Sequence, residues 1–136
     1  MGRTGLTYRC QRAFIADVED QHSHSLSSGF LRASLLLLLK ERPSYGYELH
    51  ERLVELGQVC DTAVVYRALH ALHDEKLVYS AWEPSDTGPA RRSYELSWSG
   101  EEALTACARL VAHNRDILQH YLDRCEIAVA RSVRSG

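Results

Sequence analysis

The chain lacks an overall positive charge and has no long hydrophobic run. Its 16 Lys and Arg residues are outnumbered by 18 Asp and Glu residues, which gives a formal net charge of −2. This balance excludes a protein that binds nucleic acid through general basic character, so any DNA contact must come from a local patch. The leucine block Leu35 to Leu39 falls far short of the roughly eighteen apolar residues that a membrane span requires. We therefore expect no contact with a membrane.

Motifs for catalysis, cofactor binding and secretion are also missing. No Ser/His/Asp order, glycine-rich phosphate loop or paired acidic motif occurs, so we expect neither an enzyme nor a cofactor. The N-terminus, MGRTG, has no apolar segment before a cleavage site, which favours the cytoplasm. The pairs His70–His73 and His113–His120 each lack an obvious third ligand, so we expect no metal site. The widely spaced cysteines form no CxxC pair, and we expect reduced thiols: Cys10, Cys60, Cys107 and Cys125.

The first 28 residues differ from the rest of the chain. Apolar residues recur at steps of four from Leu6 to Val18, which predicts a short helix. Residues 20–28, DQHSHSLSS, are polar and typical of a linker. We therefore interpret residues 1–28 as an N-terminal arm.

Two helices are predicted next. Residues 29–42, GFLRASLLLLLKER, are apolar nearly all round, which predicts a helix in the middle of the domain that ends at Pro43. A second helix opens within SYGYEL, runs to about Leu56 and stops at Gly57. Its candidate buried positions are Tyr47, Leu49, Leu53 and Leu56.

The helix predicted for residues 61–76, DTAVVYRALHALHDEK, is the element around which the domain is organised. Asp61 is a good N-cap, and Val65, Leu69 and Leu72 share one face because they lie four and three residues apart. Together with the preceding helix and a short turn, it forms a helix-turn-helix. An ordinary amphipathic helix with a solvated outer face is the alternative to a DNA-recognition helix. The hydrogen-bonding residues of the outer face are Thr62, Tyr66, Arg67, His70 and Asp74.

A β-hairpin is predicted directly after this helix. Residues 77–83 and 92–97 partly alternate between apolar and polar, and residues 84–90 between them are rich in turn formers. The pattern predicts two strands joined by a loose tip, which is the wing of a winged helix. Arg91 and Arg92 lie where the second strand begins, at a position suited to contact phosphate.

Residues 101–131 contain neither proline nor glycine and predict one long helix. Its heptad seam is too long for a small winged helix to bury alone, so we expect residues 100–136 to pair with a second copy. Asn114 would then help to fix the register of the two helices. A helix folded back on its own domain is the alternative. The seam consists of Leu104, Cys107, Val111, Asn114, Leu118, Tyr121, Cys125 and Ala128.

These motifs, in this order, resemble the PadR family of bacterial transcriptional regulators. PSYGYEL resembles the family's P-x-x-G-Y-E-L, and VYRALHAL resembles its L-Y-x-x-L-x-x-L. GPARRSYELSWSG resembles the wing signature G-P-x-R-K-x-Y-x-L-T-x-x-G, so the resemblance covers residues 31–100. Two departures are Lys76, where the family usually has glycine, and Ala63, where glycine is frequent.

The resemblance implies a mainly α fold with a small β-hairpin wing, in which residues 29–99 form a winged helix-turn-helix domain. It also implies a homodimer that represses from a palindromic operator in double-stranded DNA, with the first and C-terminal helices at the dimer interface. The alternative is a protein-interaction module without sequence-specific DNA binding. The positions assigned to DNA contact are Tyr45, Tyr47, Thr62, Ala63, Tyr66, Arg67, His70, Arg91 and Arg92.

The signal that releases the operator is open between a small molecule and an oxidant. A small apolar effector between the dimer-forming helices would stack on Trp98, Tyr121 or Phe30. Cys60 immediately precedes the predicted N-cap of the recognition helix, where the helix dipole would favour a reactive thiolate. Plain packing roles are the alternative for all four side chains.

Overall fold

The computed structural model describes residues 28–135, so the predicted N-terminal arm lies outside the described residues. Within this range, a mainly helical fold carries a small antiparallel sheet and a long C-terminal helix, as the sequence predicted. No helix among these residues is both long and apolar enough to cross a membrane. The elements are α1 (Ser28–Glu41), β1 (Ser44–Tyr45), α2 (Gly46–Glu55), α3 (Thr62–Asp74), β2 (Val78–Ser85), β3 (Gly88–Leu96) and α4 (Trp98–Arg134).

The hydrophobic core lies where α1, α2 and α3 meet the base of the sheet. The predicted apolar face of α3 is confirmed, because Val65, Leu69 and Leu72 are completely buried. Burying such a side chain contributes about 1.5–3 kcal/mol, so these three contacts fix which face of α3 points outward. Leu37 is the one exposed member of the leucine block. The buried leucines of α1 are Leu31, Leu35, Leu36, Leu38 and Leu39.

The predicted buried face of α2 is right for two residues and wrong for two. Leu49 and Leu53 are completely buried, whereas Tyr47 and Leu56 are 45% and 44% exposed. Positions two residues apart on a helix do not share a face, which turns Tyr47 away from the side of Leu49. Leu56 is the C-cap, and Gly57 follows it with a φ of +89°, which confirms the predicted stop.

The side chain of Arg52 fixes the corner between α1 and α2. Its guanidinium donates to the carbonyl oxygen of Leu38 at 3.0 Å and to the hydroxyl of Ser44 at 2.8 Å. It also pairs with the carboxylate of Glu41 at 2.6 Å. The carbonyl groups in the last turn of a helix lack helical partners, so these bonds cap α1 and anchor β1 beside it.

Two residues predicted to open α2 instead form a strand. Ser44 and Tyr45 pair antiparallel with Tyr94 and Ser93, which gives the sheet order β1-β3-β2. α2 therefore begins only at Gly46. A two-residue strand is too short to show alternation in a sequence. Its effect is to join Tyr45 directly to the wing.

The wing is a longer and tighter hairpin than predicted. β2 runs to Ser85 and β3 begins at Gly88, with these two residues paired, so the loose tip predicted for residues 84–90 is wrong. The register is irregular between Glu83 and Ser85, where Pro84 has no N–H to donate to the ladder. The predicted turn residues therefore lie largely within the strands.

A residue with left-handed backbone conformation connects α3 to the wing. Lys76 has a φ of +62°, and within residues 28–135 it is the one non-glycine residue with a positive φ. The N–H of Leu77 donates to the carbonyl of Leu72, and that of Lys76 donates to the carbonyl of His73. This pair of bonds is the Schellman arrangement, whose left-handed position usually holds glycine. This left-handed position is the one at which the motif resembled by the sequence has glycine and this chain has Lys76.

α4 spans 37 residues and begins earlier than predicted. Trp98 to Gly100, expected to precede the helix, form its first turn, and Ser97 is the N-cap. The buried hydroxyl of Ser97 accepts a hydrogen bond from the N–H of Gly100 at 3.0 Å and donates one to the carbonyl of Lys76 at 2.8 Å. At about 1.5 Å per residue, a helix of this length extends far beyond the small domain against which its first part packs.

Candidate nucleic-acid interface

The outer face of α3 is exposed and polar, as predicted. Thr62 and Ala63 lie in its first turn, and Tyr66, Arg67 and His70 follow on the exposed side. Because the opposite face is buried in the core, α3 can present these groups to a partner without unfolding. Asp61 occupies the N-cap position with extended backbone, but its side chain makes no capping hydrogen bond.

A concavity of about 370 Å³ lies between this face and the wing. Six of the nine residues assigned to DNA contact line it together, although they come from four different elements. Thr62, Ala63 and Arg67 lie outside its lining, on the exposed part of α3. The lining consists of Tyr45, Gly46, Tyr47, Tyr66, His70, Trp82, Ala90, Arg91, Arg92 and Tyr94.

Gly46 allows α2 and α3 to meet at the bottom of this concavity. A Cβ atom at position 46 would lie 2.5 Å from the Cε1 atom and 2.9 Å from the hydroxyl oxygen of Tyr66. Any larger residue would therefore displace the Tyr66 ring. Gly46, the glycine of the SYGYEL motif, is therefore required by the close approach of the Tyr66 ring to the start of α2.

Four side chains link the wing to the start of α2. The rings of Tyr45 and Tyr47 stack with centroids 5.8 Å apart and planes 9° apart. The guanidinium carbon of Arg91 lies 4.7 Å from the centroid of the Tyr45 ring, and its Nη1 donates to the Tyr47 hydroxyl at 3.4 Å. The Tyr45 hydroxyl donates to Oε2 of Glu83 at 2.5 Å. We call these four residues the wing cluster.

Ionisation within the wing cluster follows these contacts. The hydrogen bond to Glu83 raises the pKa of Tyr45 above its ordinary value, with smaller contributions from desolvation and from the Glu83 charge. The hydrogen bond to Tyr47 raises the pKa of Arg91, and the charge of Glu83 adds to this effect. Tyr45 is therefore a neutral donor and Arg91 a cation at any physiological pH.

Arg92 is held more firmly than Arg91. It is half-buried, and its Nη2 donates to the hydroxyl of Ser80 at 2.9 Å. Its guanidinium carbon lies 5.8 Å from the ring centroid of Trp82 and 5.5 Å from that of Tyr94. Cation–π contacts of this kind stabilise packing, so Arg92 also contributes to the structure of the wing.

Comparisons with known proteins identify the family. The model of the transcriptional regulator PadR-like family matches residues 35–106. The chain belongs to the PadR-like family of transcriptional regulators. A PadR-like transcription factor from Bacteroides fragilis is 26% identical with a TM-score of 0.60, and the match covers 68% of this chain and 89% of that one.

Two further solved structures support this assignment. A PadR-like transcriptional regulator from Bacillus cereus is 25% identical with a TM-score of 0.61, and the match covers 69% of this chain and 92% of the other. Bacillus subtilis PadR, solved in complex with operator DNA, is 25% identical with a TM-score of 0.53. That match covers 56% of this chain but only 45% of the Bacillus subtilis protein. A search of curated proteins gives no match.

Sequence reasoning missed several members of the candidate site in this PadR-like chain, among them Gly46, Glu83 and Trp82. Gly46 was interpreted only as part of a helix opening, while Glu83 and Trp82 were interpreted only as strand residues. The signal for the last two was available in the hairpin register, because Glu83 lies opposite Arg91 and Trp82 opposite Arg92. The loose tip predicted for residues 84–90 placed Arg91 outside the paired strands, so its pairing with Glu83 was not predicted.

The side chains assigned to sensing do not share one site within a protomer. Phe30 lines an apolar concavity of about 320 Å³ between α1 and α4, together with Leu37, Leu56, Leu104 and Val111. Trp98 lines a different concavity of about 590 Å³, beside the end of α3. Tyr121 is exposed on the second half of α4.

The surroundings of Cys60 favour the packing alternative over a reactive thiolate. Burial raises the pKa of the Cys60 thiol, and the neighbouring Asp61 carboxylate raises it further. A side-chain nitrogen of His50 lies 2.9 Å from the Cys60 carbonyl oxygen and ties this turn to α2. Cys60 packs partly buried against the core, which is the alternative role left open for it.

The predicted seam of α4 divides into two parts. Leu104 and Cys107 are half-buried against the core of their own chain, next to α1. Leu118 and Tyr121 are exposed. The fold-back alternative therefore describes the first part of α4 only. Residues 28–135 contain no group of three metal-ligating side chains that could hold an ion.

Proposed function

We propose that this PadR-like protein is a homodimeric transcriptional repressor that binds a palindromic operator. The observation that carries the proposal is the concavity in which side chains of α2, α3 and the wing meet beside the exposed face of α3. Hydrogen-bond donors and a cation in this arrangement suit a recognition helix in the major groove and a wing on the adjacent backbone. The operator complex of the Bacillus subtilis relative supports the same activity here.

Base contacts in this proposal come from the first turns of α3. Thr62 and Ala63 lie at the N-terminal end, which enters the major groove first in helix-turn-helix proteins. Arg67 is exposed, and within residues 28–135 its side chain makes one long hydrogen bond, 3.5 Å to the Ala63 carbonyl. A guanidinium held so weakly can turn towards the edge of a guanine. A bidentate contact there favours guanine over another base by about 1–3 kcal/mol.

Backbone contacts come from the wing cluster. Arg91 is exposed and its planar donors suit a phosphate. Tyr45 and Tyr47 carry hydroxyl groups beside it, and hydrogen bonds to phosphate position a protein on the duplex without specifying sequence. This division assigns specificity to α3 and affinity to the wing.

The second half of α4 supplies the proposed dimer interface. Its apolar side chains are largely exposed in the single chain, and an exposed apolar stripe indicates an interaction surface. The exposed apolar residues of this region are Ile117, Leu118, Tyr121, Leu122, Ile127, Val129 and Val133.

The proposed effector site is the concavity between α1 and α4. Its volume of about 320 Å³ falls at the lower end of the range for small-molecule pockets. Phe30 offers a ring for stacking, and Arg115 at the edge offers a charge. A ligand there would change the angle of α4 to the domain and hence the distance between the two recognition helices.

Selection of duplexes from a random pool tests this function. We expect the protein to enrich an inverted repeat whose half-sites lie about one helical turn, or 10 base pairs, apart. The variant Arg67→Ala is expected to lose the preference at one position of each half-site and to keep its affinity for random DNA. A pool that shows no enrichment would contradict the proposal and favour a protein-interaction module. Transcription from a reporter that carries the selected repeat then distinguishes repression from activation.

A further inference from the structure

Glu83 places a negative charge within the surface proposed to bind DNA. Its side chain is exposed on β2, and in the hairpin register it lies directly opposite Arg91. One carboxylate oxygen accepts the hydrogen bond from Tyr45, and the same carboxylate acts electrostatically on Arg91. A carboxylate at this point opposes the binding of a polyanion, so its position beside the two donors requires an explanation.

A carboxylate and a DNA phosphate bind the same kinds of hydrogen-bond donor. Each carries one negative charge and presents oxygen atoms that accept hydrogen bonds from hydroxyl and guanidinium groups. The Tyr45 hydroxyl has one proton to donate, so it cannot serve Glu83 and a phosphate at the same time. The Arg91 guanidinium lies over the Tyr45 ring and forms no ion pair with Glu83 within residues 28–135, so it feels only the nearby charge of the carboxylate.

We propose that Glu83 is a specificity-determining residue that occupies the place of a DNA phosphate on Tyr45, beside Arg91. Any duplex must displace the carboxylate from the Tyr45 hydroxyl, and the phosphate then lies close to the negative charge of Glu83. Random DNA offers only backbone contacts in return, whereas the operator adds base contacts to α3. Glu83 therefore lowers affinity for random DNA more than affinity for the operator. This inference rests on the proposed DNA-binding function.

Two other features of the chain agree with this role. The net charge of −2 already limits non-specific attraction to DNA. Arg91 also makes its hydrogen bond to Tyr47 at a long 3.4 Å, so the cation is not locked against movement towards a phosphate. The wing cluster thus holds Tyr45 and Arg91 close to the positions proposed for DNA binding, while the Glu83 carboxylate accepts the hydrogen bond of Tyr45.

The experiment compares Glu83→Gln with the matched control Glu95→Gln. Both residues are exposed on the wing, and both substitutions remove one negative charge, but Glu95 lies opposite Tyr79 and outside the wing cluster. Affinity is measured by fluorescence anisotropy for a random-sequence duplex of about 24 base pairs and for the duplex selected by the wild-type protein. Salt is varied between about 50 and 200 mM.

We expect Glu83→Gln to bind random DNA about three- to tenfold more tightly than wild type at low salt, and the selected duplex by a smaller factor. The ratio of the two affinities should therefore fall. Glu95→Gln should change both affinities equally and by less. Equal effects of the two substitutions, or weaker binding of random DNA by Glu83→Gln, would overturn the inference.

A double-mutant cycle separates displacement from simple charge removal. If Glu83 acts by occupying Tyr45, the gain from Glu83→Gln should shrink when Tyr45→Phe has already removed the hydroxyl. An unchanged gain in the Tyr45→Phe background would contradict the phosphate-like role. Wild-type protein that binds neither duplex would instead refute the proposed function, and this inference would fall with it.

Discussion

The ring of Tyr66 on α3 lies against Gly46 at the start of α2, so closely that a Cβ atom at position 46 would be 2.5 Å from the ring. This contact joins the two helices of the helix-turn-helix at the bottom of the proposed DNA-binding concavity. It sets the position of Tyr66 and, through the adjoining residues, of Tyr45 and Tyr47. The geometry of the site therefore depends on the absence of one side chain.

Gly46→Ala is expected to weaken operator binding while leaving the fold intact. Tyr66 is partly exposed, so its ring can move aside, but it then leaves the position that faces the wing. We expect about a tenfold or greater loss of affinity, since a misplaced contact residue costs at least one hydrogen bond to phosphate. Anisotropy measures the affinity and thermal unfolding reports the stability. Wild-type affinity in Gly46→Ala would show that Tyr66 has no role at the interface.

The two wing arginines are expected to differ. Arg91→Ala should weaken binding to all sequences and reduce the salt slope by about one unit, because it removes a single phosphate contact. Arg92→Ala should in addition lower the free energy of unfolding, because Arg92 packs between Trp82 and Tyr94 and bonds to Ser80. Denaturant unfolding and anisotropy are measured on both variants. Equal stability of the two would contradict the packing role of Arg92.

Lys76→Gly is expected to stabilise the protein. Lys76 has a φ of +62°, which glycine adopts without the steric cost that a Cβ atom imposes. The gain should be about 0.5–1 kcal/mol after the greater unfolded-state entropy of glycine is subtracted. Lys76→Ala is the control that loses the same charge but keeps the Cβ atom. If both substitutions change stability equally, the backbone conformation is not the cause.

Gly100→Ala is expected to be strongly destabilising. A Cβ atom at this position would lie 2.1 Å from the backbone oxygen of Leu77 and 2.6 Å from Cδ1 of Leu96, and backbone cannot move aside as a flexible side chain does. Overpacking of this kind typically costs about 1–3 kcal/mol or more. Gly88→Ala is the matched control, because nothing lies within 4 Å of its added Cβ atom. Denaturant unfolding that finds the two variants equal would contradict the close approach of α4 to the wing base.

Periodicity predicted the parts of the fold that repeat. The spacing of Val65, Leu69 and Leu72 identified the buried face of α3, and with it the exposed face that carries Tyr66 and Arg67. It did not predict β1, because two residues cannot show alternation. It also assigned Leu56 to the core, although this residue caps α2 at the edge of the concavity between α1 and α4.

The sequence pattern did not predict contacts between residues that are distant along the chain. The link from Tyr45 to Glu83 joins residues 38 positions apart and depends on a two-residue strand. The pKa of Cys60 was predicted from the helix dipole alone, whereas burial and Asp61 act in the opposite direction. The positions that the sequence assigned to DNA contact do lie close together, because six of the nine line one concavity.

The measurement that tests the central claim most directly is the binding of the purified chain to its own upstream promoter DNA. Fluorescence anisotropy across a salt series gives the affinity, the stoichiometry and the salt slope. We predict saturable binding at two protomers per site, tighter than to random DNA, with a steep decrease in affinity as salt rises. Binding no tighter than to random DNA at every salt concentration, for this promoter and for the selected repeat alike, would contradict the proposed function as an operator-binding regulator.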